Sequence, residues 1–169
     1  MFILRVVVGL LFAGHGAQKL FGVFGGYGLA GTAAFFEQIG LRPGRLHATA
    51  AGAAEFGGGL LLALGLFSPF AAAVLIATMT AAVITVHLPN GIWVTSNGYE
   101  YNVVLAAAAF AVAGAGPGKW SLDNAFSIDD AGPRWAIAAV VVGLVGGLGA
   151  VMAGRAGRAE QRTSATPTA

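Results

Sequence analysis

The sequence contains no cysteine. Disulfides, cysteine-ligated clusters, thioether-attached haem and thiol chemistry on the chain itself are therefore excluded. Charge is scarce as well: 9% of the residues are Asp, Glu, Lys or Arg, against about 25% in an ordinary soluble domain. The basic residues are spread out and the net charge is only +2, so there is no basic patch with interleaved aromatics for nucleic acid. Phosphate-loop, dinucleotide, zinc-protease and serine-nucleophile motifs are missing too. GVFGGYG has the glycines of a nucleotide loop without the strand and helix that would make it one.

What is present is apolar and small. Hydrophobic residues make up 57% of the 169, and 27 are glycine, without the triplet period of collagen. Small residues let membrane helices approach closely, so the composition predicts an all-α, polytopic membrane helical bundle. The opening MFILRVVVGLLFAG has the look of a signal peptide, but the helix continues past it without a convincing cleavage site, and we read it as a retained first span over 2–21. Arg5 is placed to snorkel from its end.

GVFGGYGLAG breaks that span. A short amphipathic helix follows near 31–40, with Thr32, Phe35, Phe36 and Ile39 on one face and Glu37 and Gln38 turned away, which suits the membrane interface. Further spans are expected at about 48–66, 70–87, 99–115 and 135–152. The tight LFSPF turn makes the second and third antiparallel neighbours, and Trp93 suits an interface. Gly143 and Gly147 in the last span have a close-contact spacing. The loop before it carries Lys119, Asp123, Asp129 and Asp130 as aqueous groups, and 154–169 reads as a disordered polar tail. The expected organisation is a core over 1–126, a connection and additional helix over 127–153, and the tail.

Alternating spans place the end of the first, the start of the second, the end of the third and the start of the fourth at one membrane face. Lys19, Arg42, Arg45, Arg155, Arg158 and Arg162 fall on that side, and Arg5, Lys119 and Arg134 on the other. Basic residues favour the cytoplasm, so the balance favours an outside N-terminus and an inside C-terminus.

The same face collects the polar residues of otherwise apolar helices. In GLLFAGHGAQKLFG, His15 and Lys19 are four apart with Gln18 beside them. Glu55 stands between Gly52 and Gly59, and an ionised group near the bilayer centre costs at least about 2.5 kcal/mol, so it should face protein. His87 ends the third span and Glu100 begins the fourth. His15, Lys19, Glu55, His87 and Glu100 are thus candidates for one polar pocket, with Gln18, His47 and Asn97 secondary. The competing readings are a structural hydrogen bond at His15, a snorkelling anchor at Lys19, an ion pair at Glu55 and interfacial groups at Glu100 and His47. Ligand chemistries compatible with these residues include quinone carbonyls, proton relay, haem between His15 and His87, and non-haem iron at His15, Glu55 and His87. The first two suit the residues better than the metals do.

GLLFAGHGAQKLFG, AAEFGGGLLLALGL and NGYEYNVVLAAAAFAVAGAGPGKWSLD together resemble the DoxX family of small bacterial and archaeal membrane proteins, over about Leu4 to Phe126. The resemblance implies a four-helix membrane core in a prokaryotic inner or plasma membrane, with family polar residues at His15, Lys19, Glu55 and Glu100. It further implies an oxidoreductase-associated or quinone-linked subunit. The expectation is a membrane subunit supporting redox chemistry through quinone binding or proton handling, in contact with lipid, a redox-enzyme partner and a homo-oligomeric copy. Without cysteine, any sulfur redox step needs a thiol from a substrate, cofactor or partner. The alternatives are a small-molecule transporter and a structural subunit for membrane-complex assembly.

Overall fold

Each apolar run between glycine breaks becomes a helix in the computed structural model, which describes residues 1–128 and 130–164, with side chains through 158. The expectations for Asp129, for the Arg162 side chain and for 165–169 lie outside the described residues. Helix α1 spans Phe2–Phe21 and stops where Gly22 turns left-handed at φ 73°, a conformation open to glycine at no steric cost. Helix α2 is Gly28–Gln38 and α3 is Gly44–Leu64, closed in the same manner by Gly65 at φ 65°. Helix α4, Ser68–Ala82, begins with a proline in its first turn, where a missing N–H costs nothing. It runs on into a π turn, Val83–His87, and a short 3₁₀ turn, Leu88–Asn90. Helix α5 is Glu100–Ala115, α6 is Leu122–Ala125 and α7 is Pro133–Ser164.

Glycines set the packing. A methyl group at Gly9 would lie 2.6 Å from the Gly59 carbonyl, and one at Gly16 would lie 2.3 Å from the Phe56 backbone nitrogen. Helices α1 and α3 therefore cross antiparallel with backbones touching, the closest approach that small residues allow. Gly143 sits on Ile76 and Gly147 on Ala77 and Thr80, which lays α7 parallel to α4. Between these pairs, Phe12, Leu62, Leu75 and Val112 are fully buried. In lipid such packing works through dispersion and shape rather than through removal of surface from water.

The helix directions alternate as the spans require, so the ends of α1, α4 and α7 meet the starts of α3 and α5. Phe2–Phe21, Ser68–Asn90 and Pro133–Arg158 are long and apolar enough to cross a membrane. Helix α5 is apolar but has 16 residues, about 24 Å at 1.5 Å each. Helix α3 has 21 residues but includes Arg45, His47 and Glu55 among them.

Three local expectations are corrected. Arg5 does not snorkel: it is 2% exposed, because its guanidinium donates to the carbonyls of Pro117, Ala63 and Trp120. Asp123 is not an aqueous loop residue but is also 2% exposed. Its carboxylate accepts from Phe67 N at 2.7 Å, Ser68 N at 3.0 Å and Ser68 Oγ at 2.6 Å, capping the start of α4. The polar C-terminal segment is helical to Ser164 rather than disordered from 154. There Gly154 and Gly157 press against Leu41 and the Arg42 carbonyl, and the Gly154 carbonyl accepts from Arg42 N at 2.9 Å.

Candidate functional site

The close α1–α3 crossing sets the last turn of α1 beside the middle of α3. Leu20 and Lys19 rest on Gly52, and from there Lys19 Nζ reaches Glu55 Oε2 in an ion pair. Glu55 is 5% exposed, so a glutamate in an alanine and glycine run is held in the protein interior with a cation as its partner. Taking such a group from water costs several kcal/mol unless it is paired and hydrogen-bonded, and Lys19 supplies both.

The pair lies in the wall of a cavity of about 530 Å³ between α3, α4 and α7. Ala50, Ala51 and Ala54 of α3, Ala77 and Ala81 of α4, and Gly146, Gly147 and Ala150 of α7 form its apolar sides. Helix α2 lies across it with Phe35, Phe36 and Ile39, the residues of its apolar face. That helix is tied down at both ends. Thr32 Oγ1 donates to the Lys19 carbonyl at 3.3 Å, and Glu37 Oε1 accepts from Gly44 N at 3.2 Å. His47, in the first turn of α3, and His87, at the end of the π turn, complete the lining. The π turn offsets the end of α4, and such turns are frequent at functional sites.

Of the sequence candidates, Lys19, Glu55, His47 and His87 thus share one cavity and the other four do not line it. His15 is exposed, its Nδ1 3.0 Å from Gln18 Oε1, and Gln18 Nε2 donates to the Phe24 carbonyl at 3.0 Å. That chain fastens the glycine-rich loop after α1, and His15 is absent from the lining of the cavity that holds Glu55. Glu100 Oε2 accepts from Val94 N at 3.0 Å, holding the loop before α5. Asn97 acts through its backbone: its carbonyl accepts from His87 Nδ1 at 2.8 Å and from Asn90 Nδ2 at 3.3 Å. Among the described residues no three His, Asp or Glu side chains come together as a metal site. His15, Glu55 and His87 are not an iron ligand set, and His15 and His87 do not face one another as haem ligands across the cavity.

Sequence reasoning missed the roof and the far wall. The α2 face was visible as an amphipathic pattern, but nothing in it said what it covers. The small residues at 146, 147 and 150 were legible only as a helix contact. Thr85 and Val86 enter the lining through the π turn, for which the sequence has no signal.

A lipid-compatible helical bundle carrying a buried ion pair in the wall of a partly open cavity defines the class: a polytopic membrane protein with a ligand-sized site. The chain belongs to the DoxX family, whose model matches residues 1–88. The match covers α1 to α4 and includes Lys19, His47, Glu55 and His87, while α7, which closes the cavity, lies beyond it. No curated protein and no solved structure matches the chain.

Proposed function

We propose that the protein is a prokaryotic plasma-membrane subunit that supports redox chemistry by binding an amphipathic, quinone-like ligand. The observation that carries this reading is the cavity. Its volume of about 530 Å³ falls in the range of about 300–1,000 Å³ usual for ligand sites. Its sides are alanine, glycine and aliphatic carbon suited to a tail, and its few polar groups, Lys19, Glu55, His47 and His87, suit an oxygenated head. The donor set therefore fits such a ligand. When bound, the ligand supplies two-electron chemistry that no side chain here provides.

The chain's own contribution is placement and proton handling. Lys19 and Glu55 anchor the polar end, the α2 aromatics keep water from the tail, and the imidazoles of His47 and His87, which also line the cavity, hand protons on by hydrogen bonding. Electrons come from or go to a redox-enzyme partner. The exposed aliphatic side of α7, with Val141, Val145 and Leu148, meets lipid or a second copy.

The test is reconstitution of the protein with its native partner in liposomes, measuring quinone reduction and solute flux together, each repeated with Glu55→Gln. Quinone reduction that Glu55→Gln abolishes while assembly persists supports the reading. Flux without redox activity transfers the assignment to transport. Loss of partner assembly on removal of the protein, with neither activity nor ligand occupancy, transfers it to a structural subunit.

A further inference from the structure

The cavity beside Glu55 is bordered on two sides by space of opposite character. At its α2 end, Lys19, Phe35 and Phe36 also line a cleft of about 630 Å³ against the glycine-rich loop after α1, where Gln18, Tyr27, Thr32 and Gln38 supply polar groups. Along its length the cavity lies between α3 and α7. Both helices pack on α4 and hardly on each other, so α4 is the floor of a gap whose banks are α3 and α7. Of the described residues that line the cavity, only Phe35, Ala50, Gly146 and Ala150 are exposed. Three of these four stand on the two banks, whereas Gly147 and Val151, next to them on α7, are buried.

The rim of the gap lies below the level of the charged groups. Ala50 follows the exposed Arg45 by five residues, and Ala150 precedes the exposed Arg155 by five, which is about 7.5 Å along each helix. Gly146 lies one turn deeper, and α7 carries no charge between Arg134 and Arg155. A bilayer of about 40–45 Å with a hydrocarbon core of about 30 Å leaves about 5–7 Å of headgroup layer on each side. The gap therefore meets acyl chains, and alanine and glycine set no bulky side chain across it.

We infer that the site takes a long-tailed, membrane-resident ligand by lateral exchange with one leaflet, the head beside the Lys19–Glu55 pair and the tail leaving between Ala50 of α3 and Gly146 and Ala150 of α7. This rests on the reading of the cavity as a quinone-like site and adds the tail and its route. A tail that stays in hydrocarbon before and after binding changes little in free energy, since lipid is as apolar as the protein wall. A tail turned into the polar cleft would instead be moved toward water, at a cost that grows with every CH₂.

The experiment uses the full-length protein in lipid nanodiscs with two probes, a benzoquinone bearing a decyl tail and the same ring without it, and expresses affinity against probe concentration in the lipid. The two should bind within about threefold of each other. Ala50→Trp and Ala150→Trp, which set an indole at the gap, should each weaken the decyl probe by more than about tenfold and leave the tail-less ring unchanged. Leu148→Trp, at an exposed α7 position outside the lining, should change neither. In the unaltered protein a diazirine on the first carbons of the tail should crosslink to α3 and α7, a readout that needs no variant to fold. Crosslinks within 22–34 instead, a decyl probe bound more than about tenfold more weakly than the bare ring, or folded Ala50→Trp and Ala150→Trp that weaken both probes alike or neither, overturn the inference and leave the cavity reading standing. If those variants weaken neither probe but split an oligomer in native mass spectrometry, the gap belongs to a second copy and the tail route falls. Binding of neither probe overturns the inference and the quinone-like site together.

Discussion

The bundle buries two polar clusters, one at each end, and they are built in opposite ways. Around Arg5 and Asp123 the buried groups are engaged. The guanidinium serves three carbonyls, the carboxylate serves the first residues of α4, and the two opposite charges lie close enough to interact. Around Lys19 and Glu55 one oxygen is paired, one is open, and the space beside them is a cavity. A closed network rigidifies a fold, whereas an open one leaves capacity for something else to bind. The comparison teaches that burial of charge alone does not mark a site; unspent hydrogen bonding beside free volume does.

The sharpest way to break the comparison is to show that the two clusters do not lie at opposite membrane faces. The native chain has no cysteine, so single cysteines placed at Arg45, Lys119 and Arg158, all exposed, report without background. Five crossings predict all-or-none labelling, with Arg45 and Arg158 reacting from one side and Lys119 from the other. The basic balance sets the first two in the cytoplasm. Labelling of all three from one side, or of Arg45 and Arg158 from opposite sides, defeats the topology, and with it the placing of the clusters at opposite faces. A consistent reversal keeps five crossings and inverts the orientation.

Stability measurements compare the clusters next. Asp123→Ala strips the start of α4 of its cap and leaves Arg5 without its nearby countercharge. The expected loss is about 3–5 kcal/mol, the cost of removing one partner from a buried charged network. Lys19→Met strands Glu55 beside a cavity that water can enter, and the Lys19 side chain is itself 26% exposed. The expected loss there is smaller, about 1–3 kcal/mol. Pairing Lys19→Met with Glu55→Leu should recover most of it, since an apolar pair in place of a buried ion pair is often neutral, while ligand binding stays lost. Reversible unfolding in mixed micelles measures all four proteins, and equal losses at the two ends would show that the Lys19 cluster is a structural plug as well.

How much of this was legible depended on whether the signal was local. Helices α1, α3, α4, α5 and α7 follow from apolar runs bounded by glycine and proline. The pairing of Glu55 with a cation near the end of α1 follows from the cost of charge in lipid together with alternating spans. His15 was misplaced because four-residue spacing puts it on the side of Lys19 only approximately, and the Gln18 and Phe24 hydrogen bonds draw it toward the loop. Asp123 was misread because its partners, Phe67 and Ser68, are more than fifty residues away, and no local pattern in SLDNAF announces them. The α7 wall was legible as a close helix contact through Gly147 but not as a cavity, since a small residue looks the same in sequence whether it touches a neighbour or leaves space.

The smallest expected effect on stability tests the volume itself. Ala71 in the closed core is 0% exposed, whereas Ala81, ten residues further along the same helix, lines the cavity. Ala71→Leu forces added carbon into occupied space and should cost about 1–3 kcal/mol. Ala81→Leu puts the same carbon into existing space, so stability should change by less than about 1 kcal/mol while affinity for the quinone-like probe falls by more than about tenfold, a loss of about 1.4 kcal/mol of binding. Such a separation, with binding lost and folding kept, is what a ligand site demands and what a packing imperfection does not give. If Ala81→Leu destabilises the protein as much as Ala71→Leu does, the space beside Glu55 closes in the membrane, and the contrast between the two clusters disappears with it.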